Sequence, residues 1–331
     1  MPQQRPPTAT PERTAVFLGS SAFSVPILEA LLTGVVRVRT VVTRPDQPAG
    51  RGRRFHSTPV KQAALKHGLT VLEPEQVNAP ESVRRLRTLA PDLLVLAAYG
   101  QILGREVLAV PRVAPLNVHP SLLPTYRGAA PVAWALLRGE QETGVTIIRM
   151  SEEVDGGRIL AQEATPIEEG ETAGDLEARL AELGARLLLE ALGRLDDALT
   201  EARPQGPTPE DGSALAPRLS KAQGLVDWGR SAETICSQVR GLTPWPGAYG
   251  FLRGDGDTLR VKLLRVKARR EVSSGMPGTV TRVTKDDLLV QAGEGVVDIR
   301  ELQPAGGRRM DVSAFLRGHQ VKEGDRFVGT Q

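Results

Sequence analysis

The chain has one cysteine, Cys236, among its 331 residues, which excludes an internal disulfide. Its four histidines, His56, His67, His119 and His319, stand far apart. No zinc-ligand spacing exists, so no metal is expected. Lysine is scarce as well, with 7 against 35 arginines. No apolar run approaches the ~18–20 residues needed to span a bilayer. The opening MPQQRPPTATPER lacks an apolar core of the signal-peptide kind, which places the protein in the cytoplasm as an expectation.

What is present is an ordinary globular composition, 40% hydrophobic and 24% charged. The length is generous for one compact domain and comfortable for two. Charge is unevenly spread. Residues 218–331 hold 19 Lys+Arg against 13 Asp+Glu, a net +6, which leaves −3 for the rest of a chain whose total is +3. A basic C-terminal part suits a polyanionic partner, although the arginine bias alone produces some of this surplus.

Residues 1–12 are rich in Pro, Thr and Gln and read as a disordered tail. From Arg13 short apolar runs alternate with helical stretches. RTAVFLGS is a strand, a helix capped by Ser24 spans about Val25–Leu32, and Val36–Arg44 is a strand. A loop, PDQPAGRGRRFHST, leads to a helix near Pro59 and a strand at Leu69–Leu72. A helix over Ala79–Leu89 and a strand within 91–98 follow. This alternation predicts a Rossmann-like, mostly parallel α/β sheet with helices on both faces. The turn GSSAF is not G-x-G-x-x-G, so a dinucleotide site is not supported.

APLNVH (Ala114–His119) reads as the next strand, ended by Pro120. Residues two apart on a strand share a face, so Asn117 and His119 project side by side. An amide donor and a titratable imidazole at a sheet's mouth suit an oxyanion and a proton transfer. On those residues alone, a strand-end pair that satisfies nearby backbone groups is the simpler account.

Farther on, Pro131–Arg138 is helical, GVTIIRM and RILAQEATP are strands around an Asp155-Gly156-Gly157 turn, and Thr172–Leu199 reads as one leucine-striped helix. Thr172 and Asp175 form a capping pair. Residues 201–217, rich in Pro and Gly, read as a linker between a domain at 13–200 and another at 218–331. The second opens on a helix near Ala232–Arg240. Five short strands follow, near 247–253, 259–268, 277–284, 287–292 and 295–302, before a short helix in MDVSAFLRG. They suit a small OB-like β-barrel. In LRVKLLRVKARR, Lys262, Arg265, Lys267 and Arg269 alternate with apolar residues and would line one exposed strand face.

The stretch HPSLLPTYRGAAPVAWALLRGE, with TGVTIIRMSEEVDGGRIL downstream, resembles the folate-dependent formyltransferase family. Within it, the likeness is to members that act on charged tRNA, and it runs from Arg13 to the C-terminal strands. The family usually has Thr-Pro where this chain has Ser20-Ser21. The resemblance implies transfer of a formyl group from 10-formyltetrahydrofolate to the amino group of methionine on initiator tRNA. It maps the catalytic trio onto Asn117, His119 and Asp155, and the folate-binding segment onto Ser121, Leu122, Leu123 and Pro124. The tRNA acceptor end would meet the basic loop, with Arg44 entering it and Arg51, Arg53 and Arg54 on phosphates. Asp155 would favour the charged imidazole and take the amine's proton through a water. The basic barrel would hold RNA, the protein acting as a monomer, and Cys236 would be a packing residue. Two other readings stay open. A formyltransferase for a sugar nucleotide or another small amine shares the trio, whereas an RNA-binding protein on an inactive scaffold does not need it.

Overall fold

The computed structural model describes residues 13–49, 54–254, 258–271 and 275–329. The tail at 1–12 lies outside them. β1 (Thr14–Gly19) leads through α1 (Ser24–Leu31) to β2 (Arg37–Val42). A ribbon of β3 (Gln47–Ala49) and β4 (Arg54–His56) precedes α2 (Pro59–Lys66), β5 (Val71–Leu72) and α3 (Pro80–Leu89). Then come β6 (Leu93–Ala97), the single turn α4 (Arg105–Leu108), β7 (Ala114–His119) and β8 (Arg127–Gly128). α5 (Pro131–Leu137), β9 (Glu142–Arg149), β10 (Arg158–Pro166), α6 (Ala173–Gly193) and α7 (Leu195–Thr200) complete this half.

Seven strands form one sheet in the order β10-β9-β7-β6-β1-β2-β5. Every pairing from β7 to β5 is parallel, and β9 joins β7 antiparallel. The aliphatic runs suit such strands because both faces are covered. Val16 and Leu18 pack with Val83 and Leu86 of α3 and Val107 of α4. Ala15 and Phe17, which point the other way, are equally buried. α6 covers the Val118 face of β7, where a Cβ on Gly184 would stand 2.8 Å from Val118 Cγ1. Asn117 and His119 project from the opposite face.

Three local expectations change. The loop after β2 contains a two-stranded ribbon, paired Gln47 to His56 and Ala49 to Arg54. The long leucine helix breaks at Arg194 (φ −130°, ψ 39°), directly after Gly193, a residue unfavourable in helices. Thr172 and Asp175 do cap α6, with Thr172 N–H donating to Asp175 Oδ2 at 3.1 Å and Asp175 N–H to Thr172 Oγ1 at 3.3 Å. Ser24 does not cap α1, because its hydroxyl donates across the sheet to the Ala97 carbonyl at 2.7 Å. Residues of 201–217 also make backbone hydrogen bonds within this half. Ile159 and Arg203 exchange backbone hydrogen bonds of 2.8 and 3.0 Å, and Tyr126 and Arg127 N–H donate to Ser213 and Ala214 at 2.7 and 3.0 Å.

The chain forms two compact units that are not colinear with the sequence. One takes the chain up to Gly128 with Gly144–Ala164 and Ala178–Leu215. The other takes Ala129–Thr143, Thr165–Glu177 and the chain from Ala216 on. After β11 (Leu215–Ala216), α8 (Ala232–Gly241) precedes β12 (Ala248–Arg253), β13 (Leu259–Arg269), β14 (Val280–Val283) and β15 (Leu288–Gln291). β16 (Val296–Pro304), β17 (Met310–Asp311), α9 (Val312–Gly318) and β18 (Arg326–Val328) follow. These strands run β14-β15-β16-β13-β12-β18. The two edges then meet, because Val280 N–H donates to Asp325 O and Phe327 N–H to Gly278 O, both at 2.7 Å. The result is a nearly closed antiparallel barrel around Val261, Leu263, Val290, Val297, Ile299 and Phe327. Among the described residues no helix is long and apolar enough to cross a membrane.

Candidate active site

β7 ends at the carboxyl edge of the parallel sheet, the edge at which ligands bind in such folds. Its neighbours hold it tightly, with Asn117 opposite Leu96 of β6 and Ile148 of β9, and His119 opposite Thr146. Asn117 and His119 are 6% and 4% exposed, and the turn after Ser151 brings Asp155 to both. Asn117 Nδ2 donates to Asp155 Oδ1 at 3.2 Å, and His119 Nδ1 lies 3.6 Å from the same oxygen. Asp155 Oδ2 accepts the Gly128 N–H at 2.9 Å. The three residues expected to act together therefore do meet.

Their hydrogen bonds sort the roles. His119 Nε2 faces the Tyr126 carbonyl at 3.0 Å, and a carbonyl only accepts, so Nε2 carries a proton. Nδ1 is then the ring atom left to exchange a proton beside the carboxylate. The Asn117 carbonyl oxygen is buried and has no hydrogen-bond partner among the described residues. A buried acceptor of this kind is costly unless a ligand satisfies it.

The segment Ser121–Pro124 folds over this edge. Thr146 Oγ1 donates to Ser121 O at 2.6 Å, Gln162 Nε2 donates to Leu123 O at 3.0 Å, and Ser121 Oγ donates to Thr125 O at 2.7 Å. Ser121 and Leu123 are buried in these contacts, while Leu122 and Pro124 are half-buried. Sequence reasoning missed Tyr126, Gly128, Thr146 and Gln162. Tyr126, Gly128 and Thr146 lie inside the two quoted stretches, but the first two contribute through backbone atoms and Thr146 and Gln162 through strand-centre side chains, so residue type alone gave no sign of them.

Arg44 is exposed at the end of β2, its N–H donating to Ser20 Oγ at 3.2 Å and its side chain lying over Gly100. Ser20 also donates to Tyr99 O at 2.9 Å, so it ties three strand ends together. Tyr99 is buried, which pushes its phenol up to about 12 against the opposing charge of Arg44. The base of the arginine ribbon is anchored by Lys61, whose Nζ lies 2.9 Å from Asp46 Oδ2 and 2.8 Å from Glu73 Oε2. The Lys61 hydrogen bond, with one from Ser57, holds Asp46 below the ordinary carboxylate range. Arg51 and Arg53 lie outside the described residues, and Arg54 opens β4.

On the barrel, β13 keeps its alternation across a bulge near Leu264. Lys267 is exposed and Arg265 largely so, the latter 3.6 Å from Glu301. Arg269 instead binds Asp298 at 2.6 Å and Asp287 at 3.2 Å. Lys262 Nζ donates to Pro244 O at 3.0 Å, and burial with the nearby Arg260 charge lowers its pKa. Three of the four basic residues therefore have partners within the barrel, Lys262 and Arg269 more enclosed and Arg265 at 59% exposure. Cys236 is half-buried in α8, and burial pushes its thiol up to about 12, which keeps it protonated and unreactive at neutral pH. No group of three or more possible metal ligands exists among the described residues.

The α/β domain with a polar trio at its sheet edge and the barrel domain that follows it correspond to a known class. Two family models match the chain, Formyl transferase over residues 12–192 and Formyl transferase, C-terminal domain, over 218–320. Methionyl-tRNA formyltransferase of Pelobacter propionicus is 44% identical over 317 residues, covering 96% of this chain and 97% of that one. The enzyme of the same name from Syntrophus aciditrophicus is 43% identical over 309 residues, covering 93% and 97%. This chain belongs to the methionyl-tRNA formyltransferase family. Among solved structures, an N-formyltransferase from Helicobacter canadensis in complex with folinic acid and dTDP-3-aminofucose shares the fold. Its TM-score is 0.63 at 16% identity, over 90% of this chain and all of that one.

Proposed function

We propose that the protein formylates the α-amino group of methionine on initiator tRNA, with Asn117, His119 and Asp155 as its catalytic residues. The observation that carries the site assignment is the convergence of two donors and one carboxylate, nearly dry, at the carboxyl end of β7. Bound 10-formyltetrahydrofolate supplies the formyl group. Leu122 and Pro124, with the backbone of Ser121 and Leu123, would hold it, and the unpartnered Asn117 oxygen fits a ligand N–H.

The chain's own residues then divide the work. The Asn117 amide and a protonated His119 Nδ1 can donate to an oxygen gathering negative charge, and one such donor is worth ~3–4 kcal/mol. Asp155 orients both donors and receives the proton released by the amine, directly or through a water, while a balancing proton goes to the folate nitrogen as its bond to the formyl carbon breaks. Burial strengthens each of these interactions by excluding solvent. Residues 13–200 carry the chemistry, 201–217 connect it, and 218–331 bind tRNA through Arg265 and Lys267, whereas Lys262 and Arg269 are held by partners within the barrel. Arg44 enters the acceptor end, with Arg51, Arg53 and Arg54 on phosphates. The enzyme acts in the cytoplasm as a monomer, which sedimentation in solution checks. The decisive experiment incubates the protein with charged initiator tRNA and 10-formyltetrahydrofolate and assays formylmethionine. No product with tRNA, beside formylation of an amino-sugar nucleotide, would overturn the assignment.

A further inference from the structure

Asp155 adopts a backbone conformation that its own side-chain contacts do not fix. Its φ of +52° lies in the left-handed region, which few residues other than glycine occupy, although Asp tolerates it. Such a residue persists where its surroundings over-determine it. The turn has little freedom on its far side, because a Cβ on Gly157 would stand 1.9 Å from the Arg149 carbonyl. On its near side it is held by Gln205. The Gln205 Nε2 donates to the Asp155 carbonyl at 2.5 Å and to the Gly157 carbonyl at 2.9 Å. Its Oε1 accepts from Arg127 Nε at 3.1 Å and Nη2 at 2.6 Å. Arg127 in turn reaches Glu153 through Nη1 at 2.5 Å.

One amide thus uses both ends at once. Its N–H groups clamp the two carbonyls that flank the Asp155–Gly157 turn, and its oxygen is oriented by a guanidinium tied to the residue two before Asp155. Arg127 also directly precedes Gly128, whose N–H binds Asp155 Oδ2. Main-chain and side-chain restraints on the acid therefore meet in a single network. Gln205 stands in a Pro-rich stretch where sequence alone suggests only a tether.

We infer that Gln205 is a positioning residue for Asp155. It affects the rate by holding the turn that presents the carboxylate to Asn117 and His119, and it makes no contact with substrate. Glutamine suits the place because the carbonyls need donors while Arg127 needs an acceptor. Glutamate would keep the second interaction and lose both of the first. The inference rests on the reading of Asp155 as the catalytic acid.

The test compares wild type, Gln205→Ala, Gln205→Glu, Asp155→Asn and the double variant Gln205→Ala/Asp155→Asn. Single-turnover formylation, KM for tRNA and thermal melting are measured for each. Gln205→Ala and Gln205→Glu should each slow the chemical step roughly 10- to 100-fold, the range expected for a displaced catalytic group. KM should change by about twofold or less. In the Asp155→Asn background, Gln205→Ala should cost nothing further, because residues acting as a unit are non-additive. If Gln205→Ala unfolds, Gln205→Glu, which keeps the Arg127 partner, carries the comparison. Wild-type turnover in the Gln205 variants beside a slow Asp155→Asn overturns this inference alone, and so does an equal loss in both backgrounds. A fast Asp155→Asn overturns the reading of the site, and this inference with it.

Discussion

At the end of β7, Asn117 and His119 are 6% and 4% exposed and within hydrogen-bond or ion-pair reach of Asp155. On the outer face of β13, Arg265 is 59% exposed and Lys267 stands in solvent. The first region fixes few charges at short range, where low polarity makes each one strong and a displacement of about 1 Å is costly. The second spreads many charges at long range, where water and salt weaken each but their sum still attracts a polyanion. Each region therefore fails differently. Loss of one group should stop the chemistry in the first, whereas in the second it should only lower the salt sensitivity of binding.

The largest effect expected is at the trio. Asn117→Ala and Asp155→Ala should each lower kcat about a hundredfold or more with melting temperature nearly unchanged. Wild-type rates in both would erase the contrast. Arg44→Ala comes next. If it enters the acceptor end, its loss should cost about 1–3 kcal/mol in binding and relax the preference for initiator over elongator tRNA. Titration of both tRNAs measures this, and an unchanged preference would move discrimination to the barrel.

A smaller effect is expected from the basic residues of β13 and of the loop after β3. The double variant Arg265→Ala/Lys267→Ala, and the triple alanine variant of Arg51, Arg53 and Arg54, should flatten the log–log salt dependence of tRNA binding. The expected change is roughly 0.7–0.9 for each phosphate no longer neutralised, with folate affinity unaffected. Arg269→Ala should instead lower the melting temperature, because it strips a partner from the fully buried Asp298. A flattened slope with normal stability in that variant would return Arg269 to the RNA face.

The smallest effect concerns pH. The Thr172 side-chain hydrogen bond, aided by a second from its backbone N–H, holds Asp175 below its ordinary 3.8. A depressed aspartate stabilises the fold above the ordinary value and loses that contribution as pH falls through the lowered one. Thr172→Val should therefore cost about 1 kcal/mol or less near pH 7. The difference in melting temperature from wild type should shrink in strong acid to the part owed to the Asp175 N–H bond that Thr172 Oγ1 accepts. A constant difference across pH would assign it to packing.

Sequence periodicity determined much of this protein. Alternating aliphatic runs and helices lead to a parallel sheet, because strands buried on both faces must be apolar throughout. The period of two put Asn117 and His119 on one face before any contact was known. The leucine stripe of α6 and the short strands of the barrel were legible for the same reason, that a repeating pattern reflects a repeating geometry. The break at Arg194 and the β3–β4 ribbon were not, since each depends on a single backbone choice.

Tertiary structure decided the rest. Nothing in the stretch 201–217 distinguishes Gln205 from the other polar residues around it, and its two ends find partners only when Arg127 and the Asp155 turn arrive from distant parts of the chain. Alternation along β13 put Arg265, Lys267 and Arg269 on one face, but only the bulge near Leu264 brings Lys262 onto it, and nothing in the pattern showed that Arg269 and Lys262 would be engaged within the barrel while Lys267 stays in water. Local pattern sets which face a side chain occupies. Which hydrogen-bond partner waits there is settled by segments far away in sequence, and only folding brings them together.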